Sequence, residues 1–178
     1  AYRHAIVRRR NLKFEIGSWP ERTYVARRRT TSMENGAFSK VLGPAFQSVA
    51  ALLSERQVEP VGRPMIRYLE VDMPGHLLID IGIPVPAAMP DLPEDFINDA
   101  LPAGDYVEGV YHGHYDDLIA ANAALQDWAS EHGIVLAAHT QNGTEHWVSR
   151  AEFYLNDPAE VPDPAAWQTR LCYLVHQD

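Results

Sequence analysis

Apolar and polar positions follow two periods along this chain, and both periods occur twice. Phe38, Val41, Leu42, Ala45, Phe46, Val49, Leu52 and Leu53 recur at i, i+3, i+4 spacing, which predicts a helix with one buried stripe. Pro44 falls inside it, so the helix either kinks there or begins its main segment there, after Gly43. Leu118, Ala121, Leu125, Trp128 and Ala129 predict a second helix, with Asp116 or Asp117 placed to cap its start and Gly133 to end it. The remaining apolar segments are short, rich in β-branched and aromatic residues, and bounded by Pro or Gly, as strands are. They include an added first strand, Tyr2 to Arg9.

The order of these elements repeats. Tyr24-Val25-Ala26 opens a strand that leads to the first helix, and Tyr106-Val107-Glu108 opens one that leads to the second. Each helix is followed by a strand carrying a tyrosine, Tyr68 or Tyr154, and then by a last apolar strand, Leu77 to Val85 or Thr169 to Val175. Tyr24 and Tyr106, Ser54 and Ser130, and Tyr68 and Tyr154 lie 82, 76 and 86 residues apart. Loops of unequal length absorb such differences cheaply. The pattern predicts one α+β domain over residues 1–178, made of two tandem βαββ units. Repeat one covers about 1–85 and repeat two about 96–178, joined by the proline-rich linker 86–95. Two helices cannot cover both faces of an antiparallel sheet of about eight strands. The helices are therefore expected on one face, with a concave ligand pocket on the other.

Charge narrows the partners. A net charge of −9 repels phosphate backbones, so direct nucleic-acid binding is not expected. Arg8-Arg9-Arg10 and Arg27-Arg28-Arg29 form either a local anion-binding patch or strand arginines pointing alternately to the two faces and pairing with acids; the pI of 5.3 favours the second. The single cysteine, Cys172, sits in an apolar run and reads as a buried thiol in a reducing compartment, which fits a cytoplasmic protein. The N-terminus is charged and no signal peptide is visible. No apolar stretch approaches the ~20 residues that span a bilayer, so no membrane partner is expected.

Glu152 is the leading candidate for chemistry. On a strand, Arg150, Glu152 and Tyr154 share one face, and Ala151, Phe153 and Leu155 share the other. The apolar set is expected to pack on a helix, which would turn Glu152 to the helix-free side. A carboxylate among aromatic rings is costly to ionise without a cationic partner. A flat lipophilic cation would provide one, each good cation–π contact being worth roughly 0.5–2 kcal/mol. The alternative is that Glu152 pairs with Arg150 or Arg67 on a solvated face. Tyr68, Tyr106, Tyr111, Tyr115, Trp147, Tyr154 and Trp167 lie on or beside strands and could wall a pocket or simply fill the core. Asp80 interrupts an apolar run and is either a second acid near the cleft or a solvated position. His112 and His114 share a strand face, but zinc needs a further ligand or two, and nothing in the spacing places His139, Glu145 or His146 there. No metal or other cofactor is expected. No nucleophile elbow, phosphate-cradling loop or Cys-x-x-Cys pair is present.

An ordered set of short motifs carries a family resemblance over nearly the whole chain. Asp80-Ile81-Gly82-Ile83-Pro84-Val85, Gly104-Asp105-Tyr106-Val107, Gly113-His114-Tyr115, Glu152-Phe153-Tyr154-Leu155-Asn156-Asp157-Pro158 and Trp167-Gln168-Thr169 together resemble the GyrI-like small-molecule-binding domains. Such domains also serve as effector-binding parts of bacterial MerR-type and AraC-type multidrug regulators. The resemblance implies pseudo-twofold symmetry and a central aromatic pocket. It makes Glu152 similar to the acid that the family sets against lipophilic cations. Those regulators carry a separate helix-turn-helix domain for which this chain has no room, so DNA binding would need a preceding segment. The first expectation is thus reversible capture of a hydrophobic, cationic aromatic compound, for effector sensing or drug sequestration. The alternative is hydrolysis of cyclopropane-containing DNA-alkylating compounds by Glu152 with Tyr111. A third is a protein-interaction role for the acidic surface.

Overall fold

The computed structural model describes residues 12–178; the expected strand Tyr2–Arg9 and the Arg8-Arg9-Arg10 run lie outside them. The described chain runs β1 (Glu15–Trp19), β2 (Arg22–Thr31), α1 (Ala37–Glu55), β3 (Met65–Asp72), β4 (His76–Pro84), β5 (Ile97–Leu101), β6 (Gly104–His112) and α2 (Leu118–Glu131). It ends with β7 (Ala138–Gln141), β8 (Thr144–Trp147), β9 (Arg150–Tyr154) and β10 (Gln168–Leu174). The strands form one antiparallel sheet in the order β1-β6-β10-β9-β3-β4-β2-β5, and the hairpin β7–β8 attaches through β8 to β3.

Two βαββ units are visible in that order. The first contributes β3-β4-β2 and the second β6-β10-β9, so the halves meet where β3 pairs with β9. The register sets Ile66 opposite Glu152. Tyr68 and Tyr154, the matched tyrosines, each follow two residues later, so the pseudo-twofold axis passes between Ile66 and Glu152. Glu152 therefore breaks the symmetry at its own axis. Strands β1 and β5 each precede one unit in sequence yet pair with the first strand of the other, β1 with β6 and β5 with β2.

The helices cover one face, with α1 over β2 and β4 and α2 over β6. Ala45, Leu118, Ala121, Leu125 and Ala129 bury their side chains there against Ile66, Ile79, Ile81, Val107 and Leu171. Farther along α1, Val49, Leu52 and Leu53 meet Val25, Ile83 and Val85. Helix α1 runs through Pro44, which costs the Lys40 carbonyl its usual helical donor. Asp117 occupies the N-cap position of α2, but its side chain makes no capping hydrogen bond. A 3-10 turn, Tyr115–Asp117, comes first; His114 accepts from the Asp116 N–H, and the Asp117 carboxylate is taken by the Tyr111 hydroxyl.

The opposite face builds a second core from Tyr24, Ala26, Met65, Leu101, Tyr106, Ala151, Phe153, Cys172 and Leu174, with no helix residue among the described members. The sheet curls to close it, and the Arg22 guanidinium lies 4.5 Å from the Trp19 ring centre and 5.1 Å from those of Tyr106 and Phe153. Asp80 is wholly buried on this face, so it is not a solvated position. It accepts from Tyr24 Oη at 2.5 Å and from Arg28 Nε and Nη2 at 2.7 and 2.9 Å. Arg67 donates to Tyr24 Oη at 2.9 Å and lies 3.4 Å from Asp99. The arginine run does alternate: Arg28 points here, while Arg27 and Arg29 line a cleft of about 270 Å³ beside Lys40 and Pro44 of α1.

Gly82 sits where β2 and β4 come close. A Cβ there would lie 2.7 Å from the Val25 carbonyl oxygen and 2.8 Å from Ala26 Cβ. Because one obstacle is backbone, Gly82→Ala is expected to cost about 2 kcal/mol and to lower Tm by about 6 °C in a thermal melt.

Candidate functional site

Strand alternation sets two possible directions for Glu152, and packing chooses the one not expected. Ala151 and Phe153 join the helix-free core, so Glu152 and Tyr154 point to the helix side, between α1 and α2. The physical reason is that the helix-free face is itself a closed apolar core, and it takes the smaller and more apolar set. Glu152 is neither solvated nor paired with Arg67, which lies on the opposite face.

Glu152 is 2% exposed, flanked by Ile66 on β3 and Leu171 on β10. Its Oε1 accepts the hydroxyl of Tyr68; among the described residues no group meets its Oε2 in full hydrogen-bond geometry, although the Asn122 amide stands close enough to stabilise the charge. Burial lifts its pKa above the ordinary carboxylate value; the Tyr68 hydroxyl, the charge of Arg150 and the Asn122 amide pull it back. Across from Tyr154 in the sheet, the buried Thr169 hydroxyl also lacks a partner among the described residues. Desolvation, and then the charge of Glu152, push the phenols of Tyr68 and Tyr154 well up.

Arg150 lies one strand step from Glu152, yet its guanidinium sits among rings. The guanidinium carbon is 4.9 Å from the ring centre of Tyr68, 5.1 Å from that of Tyr173 and 5.2 Å from that of Trp147. Trp147 and Tyr173 meet edge to face at 5.1 Å. Tyr173 donates to Asn122 Oδ1 at 2.6 Å, and Asn122 donates to the Leu118 carbonyl at 2.8 Å, which ties the cage to α2. Trp147 Nε1 donates to Glu145 at 2.9 Å.

A second group of rings stands on the other side of Glu152. Tyr154 makes edge contacts with Phe46 of α1 at 6.1 Å and with Tyr115 at 5.6 Å, and Tyr115 lies 4.6 Å from Trp167. Phe38 of α1 stacks on Tyr68 at 6.4 Å. The structure thus brings together Glu152, Tyr68, Trp147 and Tyr154, and links Tyr115 and Trp167 to them through Tyr154. Tyr111 stands apart. It shares a sheet row with Thr169, and its hydroxyl donates to Asp117 at 3.0 Å, with burial first and then Asp117 pushing its pKa up to about 12. Tyr106 belongs to the opposite core, where its hydroxyl donates to the Pro102 carbonyl. His114 packs on Trp167, and no cluster of three or more His, Cys, Asp or Glu among the described residues is placed to hold a metal ion.

Arg150, Tyr173, Asn122, Phe38 and Phe46 were not legible as site members. Arg150 and Tyr173 oppose each other across β9 and β10, a register that no local pattern specifies.

A half-barrel sheet with two helices on one face and a buried acid between aromatic clusters defines a small-molecule-binding architecture. The chain belongs to the GyrI-like small molecule binding domain family, whose model it matches over residues 12–175. It is similar to the EcmrR C-terminal domain, with a TM-score of 0.75 and 17% identity over 94% of this chain and 99% of that one. Against EcmrR in its DNA complex the TM-score is 0.74 at 17% identity, covering 94% of this chain and 58% of that one, so the chain spans a little over half of that protein's length. A hydrolase from Listeria innocua gives a TM-score of 0.60 at 13% identity over 92% of each chain. SAV2435 bound to tetraphenylphosphonium gives 0.58 at 10% identity over 92% of this chain and 94% of that one. At these identities the likeness shows the fold alone. No curated protein matches the chain. None of the described helices is long and apolar enough to cross a membrane.

Proposed function

We propose that this protein reversibly binds lipophilic aromatic cations between α1 and α2, as the effector-sensing domain of a cytoplasmic bacterial regulator or as a drug-sequestering protein. The observation that carries this reading is the Glu152 carboxylate, 2% exposed, with one oxygen that no described residue meets in full hydrogen-bond geometry and rings on both sides. A buried negative charge without full compensation attracts a cation, and aromatic walls select one that sheds its water easily. Tyr68, Trp147, Tyr154, Tyr115 and Trp167 are the walls, and Phe38 and Phe46 bring α1 into contact with them. Hydrolysis by Glu152 with Tyr111 has less support, because Asp117 holds the Tyr111 hydroxyl.

Tetraphenylphosphonium, the ligand named with SAV2435, is the probe of choice. At a concentration 100 times its Kd it should stabilise the chain by about 2.7 kcal/mol, a Tm rise on the order of 8 °C. Triphenylphosphine oxide, similar in shape but neutral, should bind at least about tenfold more weakly. Equal affinity for the two would remove the role of charge, and no shift with either would remove the site.

A further inference from the structure

We infer that Arg150 is the chain's own occupant of the aromatic cage, and that an external cation enters by exchange with it. This inference rests on the proposed function and names how that site is regulated. Tyr68 from β3, Trp147 from β8 and Tyr173 from β10 surround a single guanidinium at 4.9, 5.2 and 5.1 Å. Rings so arranged are how proteins recognise cations from outside; here the cation comes from within.

The caged arginine is poised rather than locked. Its side chain is only 12% exposed, yet its Nε has no hydrogen-bond partner among the described residues. A buried guanidinium that leaves a donor unsatisfied gives up part of what burial gains. The one described carboxylate within ion-pair range is Glu145, 3.8 Å away. Glu145 is 42% exposed, so an arginine that leaves the cage toward solvent meets a partner there and is rehydrated. The same Glu145 accepts from Trp147 Nε1, which ties the exit to a wall of the cage.

Exchange keeps the charge near Glu152 balanced, since one cation leaves as another enters. It also sets specificity. The tethered guanidinium competes at high effective concentration, so strongly hydrated cations cannot displace it. A ligand must bring a delocalised or shielded charge together with more apolar surface than the arginine stem. Trp147 comes from the hairpin β7–β8, whereas residues 56–64, between α1 and β3, form no strand in the first unit, so the device exists on one side of the axis only.

Isothermal titration of the full chain with tetraphenylphosphonium tests this. Arg150→Met keeps bulk in the cage and removes the charge, and should tighten binding about tenfold, the worth of one desolvated cation–π competitor. Binding to Arg150→Met that equals or falls below wild type overturns the exchange and leaves the proposed function standing. No binding by either protein overturns both. A ligand-independent arm uses Arg150→Ala: methylguanidinium chloride should raise its Tm and leave the wild-type Tm unchanged. Failure of that rescue would show that the cage does not hold Arg150 as a cation.

Discussion

Glu152→Gln is expected to weaken tetraphenylphosphonium binding roughly 30-fold at neutral pH. Two unit charges ~7 Å apart at an effective dielectric near 20 attract by about 2 kcal/mol, and that attraction is what the neutral amide loses. The substitution keeps shape and hydrogen-bonding capacity, so a loss of affinity reads charge rather than packing. The wild type should show the same loss with acid. Burial raises the Glu152 pKa, so its carboxylate protonates at a higher pH than an exposed one would, and cation affinity should fall as pH falls through that raised value. Glu152→Gln should show no such fall. Stability should run the opposite way. A carboxyl whose folded pKa is raised favours the fold below its ordinary pKa and loses that contribution as pH rises through the folded value. Glu152→Gln should therefore melt above wild type at pH 7.5, with the gap closing toward acid. Calorimetric titrations and melts across pH 4.5–7.5 read both slopes; a wild type whose affinity ignores pH would sink the electrostatic account.

Asp80→Ala should cost about 3–5 kcal/mol, because it removes the acceptor of a buried charge network. Tyr24 Oη, Arg28 Nε and Arg28 Nη2 all converge on this carboxylate, and Arg67, with a side chain 9% exposed, donates onward to Tyr24. Without Asp80, Arg28 keeps Asp99 at 3.0 Å and Arg67 keeps the same carboxylate at 3.4 Å, so two guanidiniums are left to share one partly exposed acid. Tm should fall by about 12 °C for a domain of this size. Tetraphenylphosphonium affinity of the folded variant should stay within about twofold, since distant sites without shared partners act independently. Urea melts and titration below Tm separate the two effects. A stable variant with lost binding would mean that the two faces of the sheet are coupled.

The two acids show how far the sequence could be read. Glu152 and Asp80 both interrupt apolar strands, and both are buried. Alternation placed each on a face of its strand but could not say which face meets the helices. For Glu152 the expected assignment was the reverse of the real one, because each face of this sheet carries its own apolar core. Strands β1, β5, β7 and β8 escaped notice for another reason. They are only four or five residues long, too short to show a clear period, and β7 is exposed along its whole length. The turn Asn142-Gly143 was nonetheless a readable signal: both residues have positive φ, 52° and 83°, as a tight hairpin turn demands.

The sequence alone determined the kinds of element, their doubled order and the pairing of an acid with tyrosines on strands that follow helices. These are consequences of local burial, since 3.6- and 2-residue periods are written into consecutive side chains. The tertiary structure decided which face Glu152 occupies, and it collected Tyr68, Trp147, Arg150 and Tyr173 around one charge. Those residues come from four strands, and only the antiparallel register across the pseudo-twofold axis brings them together.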